Sequence, residues 1–339
     1  MCLAQRFDEI PNFNDLQRIQ AHSGLVQNDD FRIAQQCLCL SLIHISLKTY
    51  QLITDSTSDL TQAQLDAAEL ACINFEYVIG DQTYENDPLY TQLSNKAFYD
   101  EIRQGALPTT NQINLHRYQE FFEQYLREGL DVLYLGFSGG LSGSFNNSVM
   151  AAEELRHKYP ERKILCVDTV CAAAGQGLLV LLAAKKWQAG EPIEAVRDWV
   201  EQKKTCLNEL FTVNDLNHLK RGGRISPALA FAGSMLNIKP CLLIDRTGHL
   251  ENVAKIRGRK KAMEWIVEQM QAQCDGAPED QLVFVVHADC PEDGQTLLQM
   301  IQQVYPKLEL HLMDLGPVIG AHTGPGLVAV TFLGKERTQ

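Results

Sequence analysis

From Thr49 onward, short apolar runs alternate with polar turns and amphipathic stretches. TYQLIT (49–54) is an apolar run ending in the polar turn DSTSDL (55–60), and LTQAQLDAAEL then has helical spacing, with Ser58 or Thr61 available as a cap. ACINFEYVI reads as the next strand, and FYDEIRQGA as a short helix stopped by Gly105. HRYQEFFEQYLREG is a longer amphipathic helix carrying Tyr118, Phe121, Phe122, Tyr125 and Leu126. DVLYLGFS is a continuous apolar strand, followed by a Gly/Ser turn and the helical stretch FNNSVMAAEELRHKY. KILCVDT repeats the strand, and AAAGQGLLVLLAAKKWQAG is a strongly apolar helix. Strands apolar on both faces that alternate with helices predict a parallel sheet covered on both sides. Such sheets take ligands at the carboxyl ends of their strands, where DSTSDL and SGGLSGS sit.

The rhythm changes after IEAVRDWVEQKKTC. LNELFTVN, KPCLLIDRTGHLENVAKI, QLVFVVHAD, LELHLMDLG and LVAVTFLG supply about six strands by their apolar periodicity, with DRTG as a hairpin turn. The expected organisation is an α/β chain: a parallel-sheet domain over 49–205, then a two-layer α+β domain over 206–337. Residues 1–48 lie outside the pattern and form an extension with no assigned element.

Composition narrows the classes of function. The formal charge of −12 in 339 residues argues against a nucleic-acid groove, which needs clustered cations. It leaves room for an anionic ligand held by a few local donors. Ten scattered cysteines lack the repeated spacing of a zinc site and read as reduced, packed thiols. No apolar run reaches the roughly 18–20 residues that span a bilayer. The nearest, Cys37–Leu47, is short and contains His44, so a cytoplasmic protein without stable membrane insertion is the expectation. No G-x-x-x-x-G-K-[ST], G-x-G-x-x-G or H-E-x-x-H motif occurs, and no cofactor or metal is expected.

Five segments carry candidate chemistry. In SGGLSGSFNNS (138–148) the glycines permit a tight turn, and a helix starting near Ser144 would aim its free N–H groups at whatever lies above, with Ser142 and Ser144 adding hydroxyls. An ordinary capped turn is the equal alternative. The same stretch holds GFSGG, the pattern of a serine nucleophile elbow, for which His287 or His322 would be the base and Asp289 or Asp314 its orienting acid. LPTTNQIN (107–114) reads as a polar loop whose Thr109, Thr110, Asn111 or Gln112 caps the following helix or faces a ligand. GPVIGAHTGPG (316–326) surrounds His322 with glycines and leaves it little side-chain cover. LKRGGRIS (219–226) and RGRKKA (257–262) gather cations, as a solvated helix start or as a patch for phosphate or an acidic partner.

In this order, DSTSDL, LPTTNQIN, SGGLSGS, FTVNDLNHLKRGGRIS, MLNIKPCLLI, RGRKKA and GPVIGAHTGPG resemble the DegV family of bacterial fatty-acid-binding proteins, from about Thr49 to about Gly334. The resemblance implies the EDD fold, a Rossmann-like domain followed by a two-layer one, with one long-chain fatty acid buried between or beneath them. It implies no chemistry of the chain's own: the acid is presented to a separate fatty acid kinase, which phosphorylates the carboxylate for phospholipid synthesis. By motif position the carboxylate contacts fall to Thr110, Ser142 and His322, with Asn111, Leu141 and Gly143 beside them. Arg224, with Arg221 and Arg257, falls to kinase docking. One departure is visible: the threonine loop continues Asn111-Gln112-Ile113 where the family has Ser-Gln-Pro. The competing expectation is a lipid ester hydrolase that uses Ser138.

Overall fold

The computed structural model describes residues 48–225, 237–274 and 281–337. The segment before Lys48, with its run Cys37–Leu47, lies outside the described residues, as do Ser226 and Met235–Leu236 of the quoted motifs.

The first half begins with β1 (Tyr50–Asp55), a 3-10 turn at Ser56–Ser58 and helix α1 (Gln62–Ala67), started by a capping box between Thr61 and Gln64. Strands β2 (Ala71–Ile73), β3 (Glu76–Ile79) and β4 (Gln82–Glu85) precede α2 (Asn95–Arg103). Next come β5 (Thr109–Asn111), α3 (Leu115–Arg127), β6 (Asp131–Gly136), α4 (Ser144–Lys158) and β7 (Ile164–Asp168). Two helices, α5 (Ala173–Gln188) and α6 (Ile193–Lys203), lead out. Strands β2, β1, β6 and β7 form an all-parallel sheet in that order. Its side chains alternate by the pleat. Leu52, Leu133 and Leu135 face the core around α5, while Ile53, Val132 and Tyr134 pack on Tyr118, Phe122, Ala151 and Leu155 of α3 and α4.

The second half contains β8 (Leu207–Thr212), α7 (Asn217–Arg221), β9 (Ile238–Ile244), β10 (Leu250–Arg257) and α8 (Arg259–Gln273). It continues with β11 (Leu282–His287), α9 (Pro291–Val304), β12 (Glu309–Asp314), α10 (Pro317–Thr323) and β13 (Val328–Leu333). A mixed six-stranded sheet runs β10-β9-β8-β13-β11-β12, with only β11 and β12 parallel. Met263, Ile266, Leu297 and Ile301 of α8 and α9 cover one face; Phe211, Leu242, Phe284 and Val286 turn the other toward α5. Helix α5 therefore lies between two sheets, which is why it is apolar on every side. No helix among the described residues is long and apolar enough to cross a membrane.

Three sequence expectations are corrected. ACINFEYVI is two strands: Ile73 ends in the parallel sheet, and Glu76 starts a small antiparallel sheet ordered β4-β3-β5. The supposed loop LPTTNQIN supplies that sheet's edge, with Thr110 opposite Tyr77, and the helix after it is capped by Asn114, whose side chain accepts from the Arg117 N–H at 3.0 Å. GPVIGAHTGPG is mostly helix α10, started by Pro317. Its glycines serve close packing: a Cβ on Gly316 would lie 2.4 Å from the Asp59 carboxylate, and one on Gly320 would lie 2.5 Å from the Tyr99 hydroxyl.

Candidate functional site

A cavity of about 310 Å³ lies where the loops after β6 and β5 meet α10 and the inner face of the six-stranded sheet. Most of its wall is apolar: Phe75, Phe137, Leu141, Phe211, Leu250, Val286, Val318 and Ile319. At one end the hydrogen-bonding groups Thr110, Ser142, Arg224 and His322 gather, with Asn111 and Gln112 in the same wall.

Each of these is held by its own element. Thr110 is fixed by the pairing of β5 with β3, and its Oγ1 lies 2.8 Å from His322 Nε2. His322 sits in the last turn of α10 with its other nitrogen against Gly222, where a Cβ would approach Nδ1 to 2.3 Å. Burial, together with the guanidinium charges of Arg224 and Arg221, pushes His322 down to about 4, so the ring is neutral near pH 7. Ser142 is buried, and its oxygen accepts the Ser144 N–H at 3.2 Å, which engages one free donor of the α4 start and leaves the hydroxyl proton available. Arg224 donates from Nε to the Leu141 carbonyl at 3.0 Å and from a terminal nitrogen to the Gly222 carbonyl. Burial holds its pKa below the usual guanidinium value. Arg221 donates to the Ala321 carbonyl at 3.2 Å. Among the described residues neither arginine has a carboxylate partner, so this end of the cavity is electropositive within an acidic chain.

The structure thus brings together Thr110, Asn111, Leu141, Ser142, Arg224 and His322. Of the expected ligand contacts it leaves Gly143 off the wall, and the expected docking residues Arg221 and Arg257 also lie outside it. Gly143 is exposed at the start of α4, where a Cβ would meet the Gln112 side chain at 2.9 Å. Arg221 is exposed on α7, and Arg257 is exposed at the end of β10. Arg224, expected to dock a partner, is half-buried and also lines the cavity.

The GFSGG elbow does not assemble. Ser138 is fully buried and its hydroxyl donates to the Gly248 carbonyl at 2.8 Å, so the serine locks the β9–β10 hairpin turn onto the first half. His287 pairs with Asp314 at 3.4 Å, whereas His322 pairs with Thr110. No group of three or more potential metal ligands occurs among the described residues. The described cysteines are free thiols.

Sequence reasoning missed the apolar wall and two buried polar residues within it, Glu209 and Thr331. The wall residues of β8 and β13 fall at every second position, a signal present in the sequence, but which face meets a cavity depends on the other layer.

Residues 49–335 match the family model described as an uncharacterised protein of the DegV family. A DegV domain-containing protein of Clostridium perfringens is 42% identical over 291 residues, covering 86% of this chain and 99% of its own. A Thermus thermophilus DegV family protein, whose solved structure is described as showing fatty acid binding, superposes with a TM-score of 0.76 at 31% identity, over 84% of this chain and 99% of its own. DegV of Bacillus subtilis, described as a fatty acid binding protein, gives 0.74 at 29% identity, over 85% of this chain and 100% of its own. With the family pattern matched over nearly all of the described chain, and relatives covered almost end to end, the chain belongs to the DegV family.

Proposed function

We propose that this protein binds a long-chain fatty acid in the cavity and presents its carboxylate to a separate fatty acid kinase. The observation that carries the reading is the asymmetry of the cavity, apolar along its wall and electropositive with unspent donors at one end. Each buried methylene contributes about 0.8 kcal/mol, so the chain supplies most of the affinity and the polar end supplies orientation. Ser142 has a free hydroxyl proton for one carboxylate oxygen. If His322 donates from Nε2 to Thr110 Oγ1, the Thr110 hydroxyl is free to donate to the other. Arg224 neutralises the charge without competing acids. Fatty acid binding by the Thermus and Bacillus relatives supports the assignment.

Presentation to a kinase is supported by the surface beside that end. His218, Lys220 and Arg221 lie on α7, next to Arg224, and would meet a phosphate-bearing or acidic partner. The test is mass spectrometry of the organic extract of purified protein, followed by incubation with fatty acid kinase and ATP. The expected result is a stoichiometric fatty acid that is depleted in Ser142→Ala and converted to acyl phosphate by the kinase. An empty extract, from protein that also fails to take up palmitate or oleate, refutes the binding reading. A loaded protein that the kinase leaves untouched refutes presentation.

A further inference from the structure

The cavity changes character along its length. On β13 the residues facing it are Ala329 and Thr331, stepping away from Leu327 and the end of α10 that carries His322; on β8 their antiparallel partners are Phe211 and Glu209. At about 3.4 Å of rise per residue, the Glu209–Thr331 rung lies roughly 7 Å beyond the apolar Phe211–Ala329 rung. Thus a wall that passes from polar to apolar becomes polar again in the direction away from the head-group end.

These two side chains are not solvated surface groups. Thr331 is 2% exposed, and its hydroxyl has no hydrogen-bond partner among the described residues. Glu209 is 5% exposed and accepts the Ala172 N–H at 3.0 Å. The fold makes room for that carboxyl, since a Cβ on Gly175 in the first turn of α5 would lie 2.3 Å from its carbon. The Ala172 N–H reaches its second oxygen at 3.4 Å, and the Cys171 thiol also bonds the carboxyl, yet a carboxyl has more acceptor positions than these two donors fill; the Thr331 hydroxyl has none filled, and a buried hydroxyl left unpaired is destabilising. Valine would fill the Thr331 site without that penalty. The oxygen therefore asks for a partner inside the cavity.

We propose that the far rung, Glu209 and Thr331, recognises a hydroxyl on the acyl chain, so that the preferred ligand is a hydroxy fatty acid rather than a plain alkanoic acid. A chain hydroxyl would accept from the Thr331 O–H and donate to the Glu209 carboxyl, satisfying both groups in one contact. This rests on the fatty-acid reading of the cavity and adds the substrate class to it.

The test is calorimetry of lipid-stripped protein with stearate and with 9-, 10- and 12-hydroxystearate, repeated on Thr331→Val and Glu209→Gln. The expected result is at least one hydroxystearate binding tenfold or more tighter than stearate. Thr331→Val should abolish most of that preference, bringing the hydroxystearate-to-stearate affinity ratio close to one, and Glu209→Gln should reduce it. Stearate bound as tightly as every hydroxystearate overturns the inference and leaves water as the partner of Thr331. A preference unchanged in Thr331→Val also overturns it. If no acid binds, stearate included, the fatty-acid reading falls with it.

Discussion

At the scale of single residues, the polar end of the cavity depends on what is missing from Gly222. A methyl there would overlap the His322 ring nitrogen, and the ring is held on its other side by Thr110. Gly222→Ala should therefore displace His322 and break the Thr110 pair, lowering palmitate affinity at least tenfold, about 1.4 kcal/mol. Gly223→Ala is the control: its left-handed φ of 71° makes the substitution strained, but a Cβ there meets nothing within 4 Å. Equal palmitate affinity by calorimetry in Gly222→Ala and the parent would remove His322 from the site. A second residue-scale prediction concerns Glu209. Burial raises its carboxyl from 4.5 to about 7, against the Arg337 charge, the Ala172 N–H and the Cys171 thiol, which all favour ionisation. Below pH 4.5 the folded and unfolded chains are both protonated there, and the site carries no penalty. Between 4.5 and 7 the unfolded chain loses the proton while the folded chain keeps it, so stability falls as pH rises and the loss is complete above about 7. The shift corresponds to about 3 kcal/mol. Glu209→Gln keeps an acceptor for Ala172 and cannot titrate. Its stability relative to the parent, from urea unfolding, should improve by up to that amount, about 3 kcal/mol, between pH 4.5 and pH 8. A pH-independent difference would show that Glu209 titrates normally.

At the scale of elements, the long alternation was legible and the short irregularities were not. The parallel strands and the helix around 173–188 are continuous apolar runs, and the helix around 115–127 has an apolar face, each long enough to be read directly. ACINFEYVI hid a change of sheet because no glycine or proline marks it: Phe75, 2% exposed, keeps the apolar alternation running through the break. Thr109–Asn111 is a strand of only three residues, shorter than any pattern window, although its threonines suit a pleated edge. In α10 the glycine density suggested a loop, yet those glycines admit Asp59 and Tyr99 and the Pro317 start signal was present. Thr110, Ser142 and His322, assigned to the carboxylate by the family resemblance, share one cavity although they come from strand β5, the turn before α4 and the last turn of α10. The lining of β8 and β13 was not found, since a strand's sequence states its alternation and not what its inner face will meet.

For the whole molecule, the decisive feature is that both halves contribute to one cavity and both main sheets to one core. Phe137 and Leu141 come from the first half, Phe211 and Ala329 from the second, and Leu178, Leu179 and Val180 of α5 are buried with strands of both sheets. A ligand in such a cavity binds only when both halves are folded around it, so its binding energy adds to the stability of the whole described unit. Filling the site at a free fatty acid concentration one hundred times Kd adds about 2.7 kcal/mol. For a chain of this size that raises Tm by several degrees, on the order of 2–4 °C for each kcal/mol. Stripping the lipid should therefore lower Tm in differential scanning calorimetry, and adding back the native fatty acid should restore it. The transition should move as one peak, because α5 cannot leave one sheet without uncovering the other. Two peaks, with only one of them shifted by lipid, would mean that the sheets unfold separately and that the ligand is held by one half alone.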